Sequence, residues 1–166
     1  MTAARQEVIE SPEAMAEFGA RLARELRAGD LVLLSGELGA GKTTLTRGIG
    51  EALGVRGAVT SPTFVLARTH PRVSAGGPLA EPPLVHVDAY RLGSAVELDD
   101  LDIDYAGSIV VVEWGKGLTD GLTDDWLEID IDRPHGGDPD AEVEPRTVTL
   151  SAHGDRWQEW LDAAGD

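Results

Sequence analysis

The sequence predicts an α/β domain, with helices layered on a mostly parallel sheet and antiparallel additions near the C-terminus. Three observations carry this expectation. The stretches Leu31–Leu34, Leu84–Val87 and Ile109–Val112 are short, mainly apolar runs, as in strands buried on both faces. Segments with helical apolar spacing lie among them. Residues 127–132 and 146–150 instead alternate apolar with polar residues, as half-exposed strands do. Buried strands interleaved with helices define the α/β layered class.

Taken in chain order, the first predicted helix opens at Ser11, an N-cap residue, with Pro12 in the first helical position. Met15, Phe18, Leu22 and Leu26 share one face, and Gly29 is a natural stop. Arg21, Arg24 and Arg27 fall on the polar side. The run from Leu31 to Ser35 reads as a buried strand, residues 36–41 as a glycine-rich turn, and Thr43–Leu53 as a helix stopped by Gly54. Phe64–Ala67 reads as extended chain. Residues 70–83 hold four prolines and two glycines, which makes this stretch a loop. Strands follow at Leu84–Asp88 and Ile109–Glu113, each ending in an acid, with a short helix expected over Ser94–Leu101 between them. Leu127–Asp132 and Arg146–Leu150 read as an antiparallel pair across a Gly/Pro-rich loop at 133–145. Asp155–Ala164 closes the chain as a helix with Trp157, Trp160 and Leu161 inside. Residues 1–166 are expected to form a single domain, with disorder confined to the loops 70–83 and 133–145.

Composition narrows the function. The chain has no cysteine, which excludes disulfides, thiolate zinc sites and cysteine nucleophiles. Its four histidines are scattered, without a metal-binding pair spacing. Thirty acidic against fourteen basic residues give a formal net charge of −16, a surface that repels nucleic acid. The first ten residues are not a secretory signal, and the apolar runs are too short to span a bilayer, so a cytoplasmic protein without membrane contact is expected.

The sharpest motif is Gly36-Glu37-Leu38-Gly39-Ala40-Gly41-Lys42-Thr43, which satisfies G-x-x-x-x-G-K-[ST] in full. Its glycines let backbone N–H groups turn toward phosphate oxygens. Lys42 brings an ammonium to the β and γ phosphates, and the Thr43 hydroxyl suits Mg²⁺. The predicted helix presents its positive end to the same anion. A buried strand leading in and a helix leading out make this a P-loop NTPase-like layered domain, with ATP and Mg²⁺ as the expected ligands. The residues expected to hold the nucleotide are Glu37, Leu38, Gly39, Ala40, Gly41, Lys42, Thr43 and Thr44.

A phosphate loop needs an acid on a neighbouring strand, to hold the ion or position water. Asp88 and Glu113 both sit where a parallel sheet presents its carboxyl edge. Sequence physics alone leaves open which of them holds the metal. Trp114 reads equally as a core tryptophan or as a nucleotide neighbour. The segment Ser61-Pro62-Thr63-Phe64 reads either as a turn or as a sensor of the γ-phosphate.

The phosphate loop, then Thr60-Ser61-Pro62-Thr63-Phe64, then His86-Val87-Asp88-Ala89-Tyr90-Arg91-Leu92, then Val112-Glu113-Trp114, occur in that order. This succession closely resembles the bacterial TsaE family of small P-loop ATPases, over roughly residues 8 to 130. The resemblance implies a role in forming N6-threonylcarbamoyladenosine at position 37 of tRNAs reading codons that begin with A. It implies work alongside the TsaB–TsaD heterodimer, which carries the transferase centre, with tRNA met only indirectly. Carried over by motif, Thr43 and Glu113 look like the Mg²⁺ ligands, Asp88 like the acid of hydrolysis, Thr63 like a switch residue, and Trp114 like a nucleotide contact. The family's early helix lies near the adenine, and Ser11 and Met15 occupy the matching stretch. After Trp114 the chain departs from the family pattern: Gly115-Lys116-Gly117 stands where relatives carry further acids, so no contact is carried over to Lys116.

The expected chemistry is phosphoanhydride hydrolysis, with Lys42, Asp88 and Thr63 as the catalytic set. No arginine finger is visible, which predicts slow turnover without partners. Two other functions fit a phosphate loop: a small-molecule P-loop kinase, and a non-hydrolytic module whose ATP-bound form docks to a partner. The first lacks an arginine-rich lid, since residues 70–83 contain only Arg72.

Overall fold

The computed structural model describes residues 3–36, 41–55, 67–71, 82–89, 101–113, 123–132 and 145–164. The expected helix at Ser94–Leu101, nearly all of it, together with residues 64–66 and most of both predicted loops, lies outside these residues. The described elements run β1 (Ala3–Ile9), α1 (Pro12–Ala23), β2 (Leu31–Gly36), α2 (Lys42–Leu53), β3 (Ala67–His70), β4 (Leu84–Asp88), β5 (Ile109–Glu113), β6 (Trp126–Asp132), β7 (Arg146–His153) and α3 (Asp155–Ala164). The seven strands form one sheet in the order β1-β7-β6-β2-β5-β4-β3. The central four, β6, β2, β5 and β4, are parallel. β1, β7 and β3 add antiparallel strands at the two sides. The α/β expectation therefore holds, with an antiparallel strand on the β3 side as well as near the C-terminus.

The fully apolar runs became the inner strands because both sheet faces are covered. Val32, Leu34, Ile109 and Val111 face a core built with Phe18 and Leu22 of α1, Leu45 and Ile49 of α2, and Trp157 and Leu161 of α3. Leu31, Leu33, Val110 and Val112 face the opposite layer, where Leu101, Ile103 and Tyr105 pack on them. In β6, Leu127, Ile129 and Ile131 turn inward while the residues between are more exposed, which accounts for its alternating sequence.

Three boundaries differ from the sequence expectation. α1 is capped by Ser11, whose Oγ accepts from Ala14 N at 3.1 Å, but it ends at Ala23 rather than near Gly29. Successive short-range bonds, Arg24 N to Arg21 O and Glu25 N to Leu22 O, tighten and close its last turn. Leu26 is still buried, from the turn that follows. β3 reaches His70, which the proline content assigns to a loop; Pro71 follows directly. β1 has no counterpart in the sequence reading. Its residues paired with the core-facing Val148 and Leu150 of β7 are Glu7 and Arg5, so no apolar alternation marks it. Glu7 instead meets Arg21 of α1 at 3.2 Å on the surface.

A second unforeseen interaction sets where β2 begins. Arg156 of α3 grips Asp30 with two bonds, Nε to Oδ1 at 2.6 Å and a terminal nitrogen to Oδ2 at 2.5 Å, and also donates to Glu25 O. Asp30 is buried and accepts from Arg27 N at 2.8 Å. The hydrogen bond to Asp30 raises the Arg156 pKa above its ordinary value. A bidentate pair of this geometry fastens the α3 N-terminus to the residue that precedes β2.

α1 and α2 cross through glycine. A Cβ added at Gly48 would fall inside contact distance of Ala16 O, and one at Gly19 inside that of Leu45 O. Both obstacles are backbone atoms of the partner helix, which cannot swing aside. Helix propensity alone makes Gly→Ala favourable by about 1 kcal/mol. Here overpacking, at about 1–3 kcal/mol, opposes it and wins. Gly48→Ala is expected to lower unfolding stability by roughly 1 kcal/mol or more in urea titration.

Candidate functional site

The site grows out of the end of β2. Gly41 occupies the N-cap position of α2 with φ 119° and ψ 11°, a left-handed conformation that glycine adopts without strain. Gly41 supplies no side-chain cap to α2, and the helix's first turn holds no acidic residue. A 12-residue helix that starts this way presents amide N–H groups and a positive dipole end to an anion. Met15 of α1 packs here: a Cβ on Gly41 would meet its Cε at 3.3 Å. This brings the early helix against the phosphate loop, in the stretch the family resemblance marked.

Lys42 opens α2 and is buried, with its Nζ donating to Gly36 O at 2.7 Å. Thr46 Oγ1 donates to Lys42 O at 2.9 Å and steadies the first turn. Burial pushes the Lys42 ammonium below its ordinary pKa of 10.5, while Glu113 and then Asp88 push it back up. Both strand-end acids thus lie within electrostatic reach of the loop lysine.

Their placement follows from strand register. Asp88 at the end of β4 pairs with Glu113 at the end of β5, and Glu113 pairs on its other side with Leu34 of β2. Residues paired across parallel strands share a sheet face. Leu34 belongs to the core beneath α1 and α2, so both acids open on the face where α2 begins. Glu113 is 4% exposed and Asp88 is half-buried.

In the family resemblance His86 figures only as part of a motif. The structure places its Nε2 at 2.8 Å from Glu113 Oε2, with both side chains buried. With Glu113 ionised, Nε2 carries the proton and donates. The signal is present in the chain: His86 lies two residues before Asp88, so on a strand the two share a face. His70 of β3 is buried close by, with Nε2 making no hydrogen bond among the described residues.

Lys42, Asp88 and Glu113 therefore stand at one edge of the sheet, where α2 begins. Thr43 and Thr44 lie in the first turn of α2, and both are half-buried. Glu37, Leu38, Gly39, Ala40, Thr63 and Trp114 lie outside the described residues. The donor set suits Mg²⁺, a hard cation that takes oxygen ligands: the Thr43 hydroxyl and the two carboxylates supply them. Among the described residues no group of three or more His, Asp or Glu side chains forms a cage for a metal ion. Mg²⁺ is commonly held by one or two protein oxygens, with phosphate and water completing its shell.

The family model described as Threonylcarbamoyl adenosine biosynthesis protein TsaE matches residues 9–139. The chain belongs to the TsaE family. Relatives named tRNA threonylcarbamoyladenosine biosynthesis protein TsaE include one from Streptomyces coelicolor, 60% identical over 146 residues, covering 86% of this chain and 93% of that protein. The Mycobacterium tuberculosis TsaE is 50% identical over 124 residues, covering 70% and 71%. The Bacillus subtilis TsaE is 35% identical over 152 residues, covering 90% and 84%. The crystal structure of Bacillus subtilis YdiB superposes with a TM-score of 0.71 at 30% identity, covering 100% of this chain and 99% of that one. The resemblance read from four motifs in order thus holds at the level of family and of fold. No helix among the described residues is long and apolar enough to cross a membrane.

The buried His70 gives the folded protein an acid sensitivity. Burial, then the neighbouring His86 and Arg68, hold its pKa below the ordinary 6.5. The folded state therefore binds this proton less well than the unfolded chain. Stability from this group is full above 6.5 and is lost as pH falls below it. In urea titrations at about pH 7.5 and about pH 5, His70→Leu is expected to lose less stability on acidification than the native sequence.

Proposed function

We propose that this protein is a Mg²⁺-dependent ATP hydrolase that acts in tRNA threonylcarbamoyladenosine formation together with the TsaB–TsaD heterodimer, without transferring the threonylcarbamoyl group itself. The observation that carries the hydrolase reading is the convergence of Lys42, Asp88 and Glu113 at the start of α2. The pathway reading rests on family membership.

Each residue has a task in this reading. The α2 amides and the Lys42 ammonium hold the β and γ phosphates and neutralise charge that grows as the terminal phosphoryl group leaves. Thr43 and Glu113 hold Mg²⁺, which when bound draws charge from the phosphate oxygens. Asp88, beside Glu113 and half-exposed, orients the attacking water and takes up its proton. Thr63 senses the terminal phosphate, and Trp114 borders the nucleotide. The net charge of −16 makes direct gripping of tRNA unfavourable, so tRNA is reached through protein partners in the cytoplasm.

Lys42→Ala is expected to abolish nucleotide binding in calorimetry. Asp88→Asn is expected to keep ADP affinity while lowering turnover by about 10²–10⁴-fold. Depletion of the protein should remove threonylcarbamoyladenosine from tRNA hydrolysates, restored by the native gene and not by Lys42→Ala. Unchanged modified nucleoside after depletion would break the pathway assignment. A hydrolysis rate unmoved by added TsaB–TsaD would count against partner activation. Persistence of the partners' repeated turnover with Asp88→Asn would favour the non-hydrolytic module.

A further inference from the structure

We propose that His86 is a positioning residue for Mg²⁺-nucleotide: its imidazole holds the Glu113 carboxylate in the orientation that receives the cation. This rests on the reading of Glu113 as a metal ligand given above.

The two residues come from adjacent parallel strands and stand on the same face. His86 lies opposite Val111, and Glu113 lies opposite Asp88, one side-chain row nearer the strand ends. The imidazole therefore approaches Glu113 from within the sheet, and the site edge lies on the other side. Nε2 reaches Oε2 at 2.8 Å, the length of a charge-assisted bond. A buried glutamate has several side-chain torsions to settle, and this bond helps settle them before any ligand arrives.

Two further observations separate this role from general packing. His86 is fully buried on the sheet face that carries Leu84 and Val111, with Arg68 paired to it on β3, so the buried Glu113 carboxylate is the hydrogen-bond partner its ring finds there. Its other ring nitrogen, Nδ1, is buried without a hydrogen-bond partner among the described residues, which costs stability. The ring's hydrogen bond to Glu113 is thus bought at the expense of the core it sits in. Carboxylates that bind metals are commonly oriented by such a neighbour, and losing it weakens metal affinity about 10–100-fold.

The test is a Mg²⁺ titration of nucleotide binding, read by calorimetry with ADP, in the full-length native protein and in His86→Leu and His86→Gln. ADP affinity is also measured in EDTA. His86→Leu is expected to raise the Mg²⁺ midpoint about tenfold while leaving the affinity in EDTA unchanged. His86→Gln, whose amide N–H can reach Oε2, should return the midpoint most of the way. If His86→Leu does not fold, His86→Asn, which draws the donor back from Oε2, carries the same expected rise. A midpoint that stays at the native value in the donor-deficient variant would overturn the inference. So would equal losses with and without Mg²⁺ that His86→Gln fails to restore. A native protein that binds ADP with no Mg²⁺ dependence would overturn the metal reading of Glu113 as well, which the first two outcomes leave standing.

Discussion

The parallel register of β4, β5 and β2 is the constraint on which the rest of the site depends. It sets Asp88, Glu113 and Leu34 in one row, on the face where α2 starts. Residues far apart in the chain thereby share one short stretch of sheet edge. A slip of one residue in either strand would turn its acid to the opposite face and take that counter-charge away from Lys42. Apolar residues enforce the register from both sides, because the odd and even positions of β2 and β5 are buried in different layers.

The surrounding structure holds that edge against its own costs. Lys42, His86 and Glu113 are polar groups under cover, each of which is unfavourable without a partner. Backbone and neighbouring side chains supply those partners: Gly36 O for the ammonium and the imidazole for the carboxylate. The glycine crossing of α1 and α2 draws the loop helix close, and Met15 then closes on Gly41. At the opposite end of β2, Arg156 and Asp30 fix where the strand begins. The phosphate loop thus starts from a strand anchored at its far end and enters α2 through a left-handed glycine.

Much of this was legible in the sequence, for identifiable reasons. The inner strands announce themselves because burial on both faces demands unbroken apolar runs, and β6 because burial on one face demands alternation. Ser11 and Gly54 mark helix ends through chemistry that is local. β1 was hidden because two of its core-side positions are Arg5 and Glu7, with Glu7 matched to Arg21, and Ile9 joins the core only at the strand's end. The Asp30–Arg156 clamp joins positions 126 apart, and no local pattern encodes it. At the site, Lys42, Asp88 and Glu113 were readable from motif and strand ending. The pairing of His86 with Glu113 required the register, which only tertiary structure supplies.

The central claim is that the helix-end and strand-end groups enclose one metal–triphosphate unit. Diffraction from crystals grown with Mn²⁺ and a non-hydrolysable ATP analogue tests it most directly, since the anomalous signal locates the ion. The expected map has a peak at about 2.1 Å from oxygens of both Thr43 and Glu113, with the terminal phosphate against Lys42. An analogue bound away from α2, or an ion held by neither residue, would contradict it.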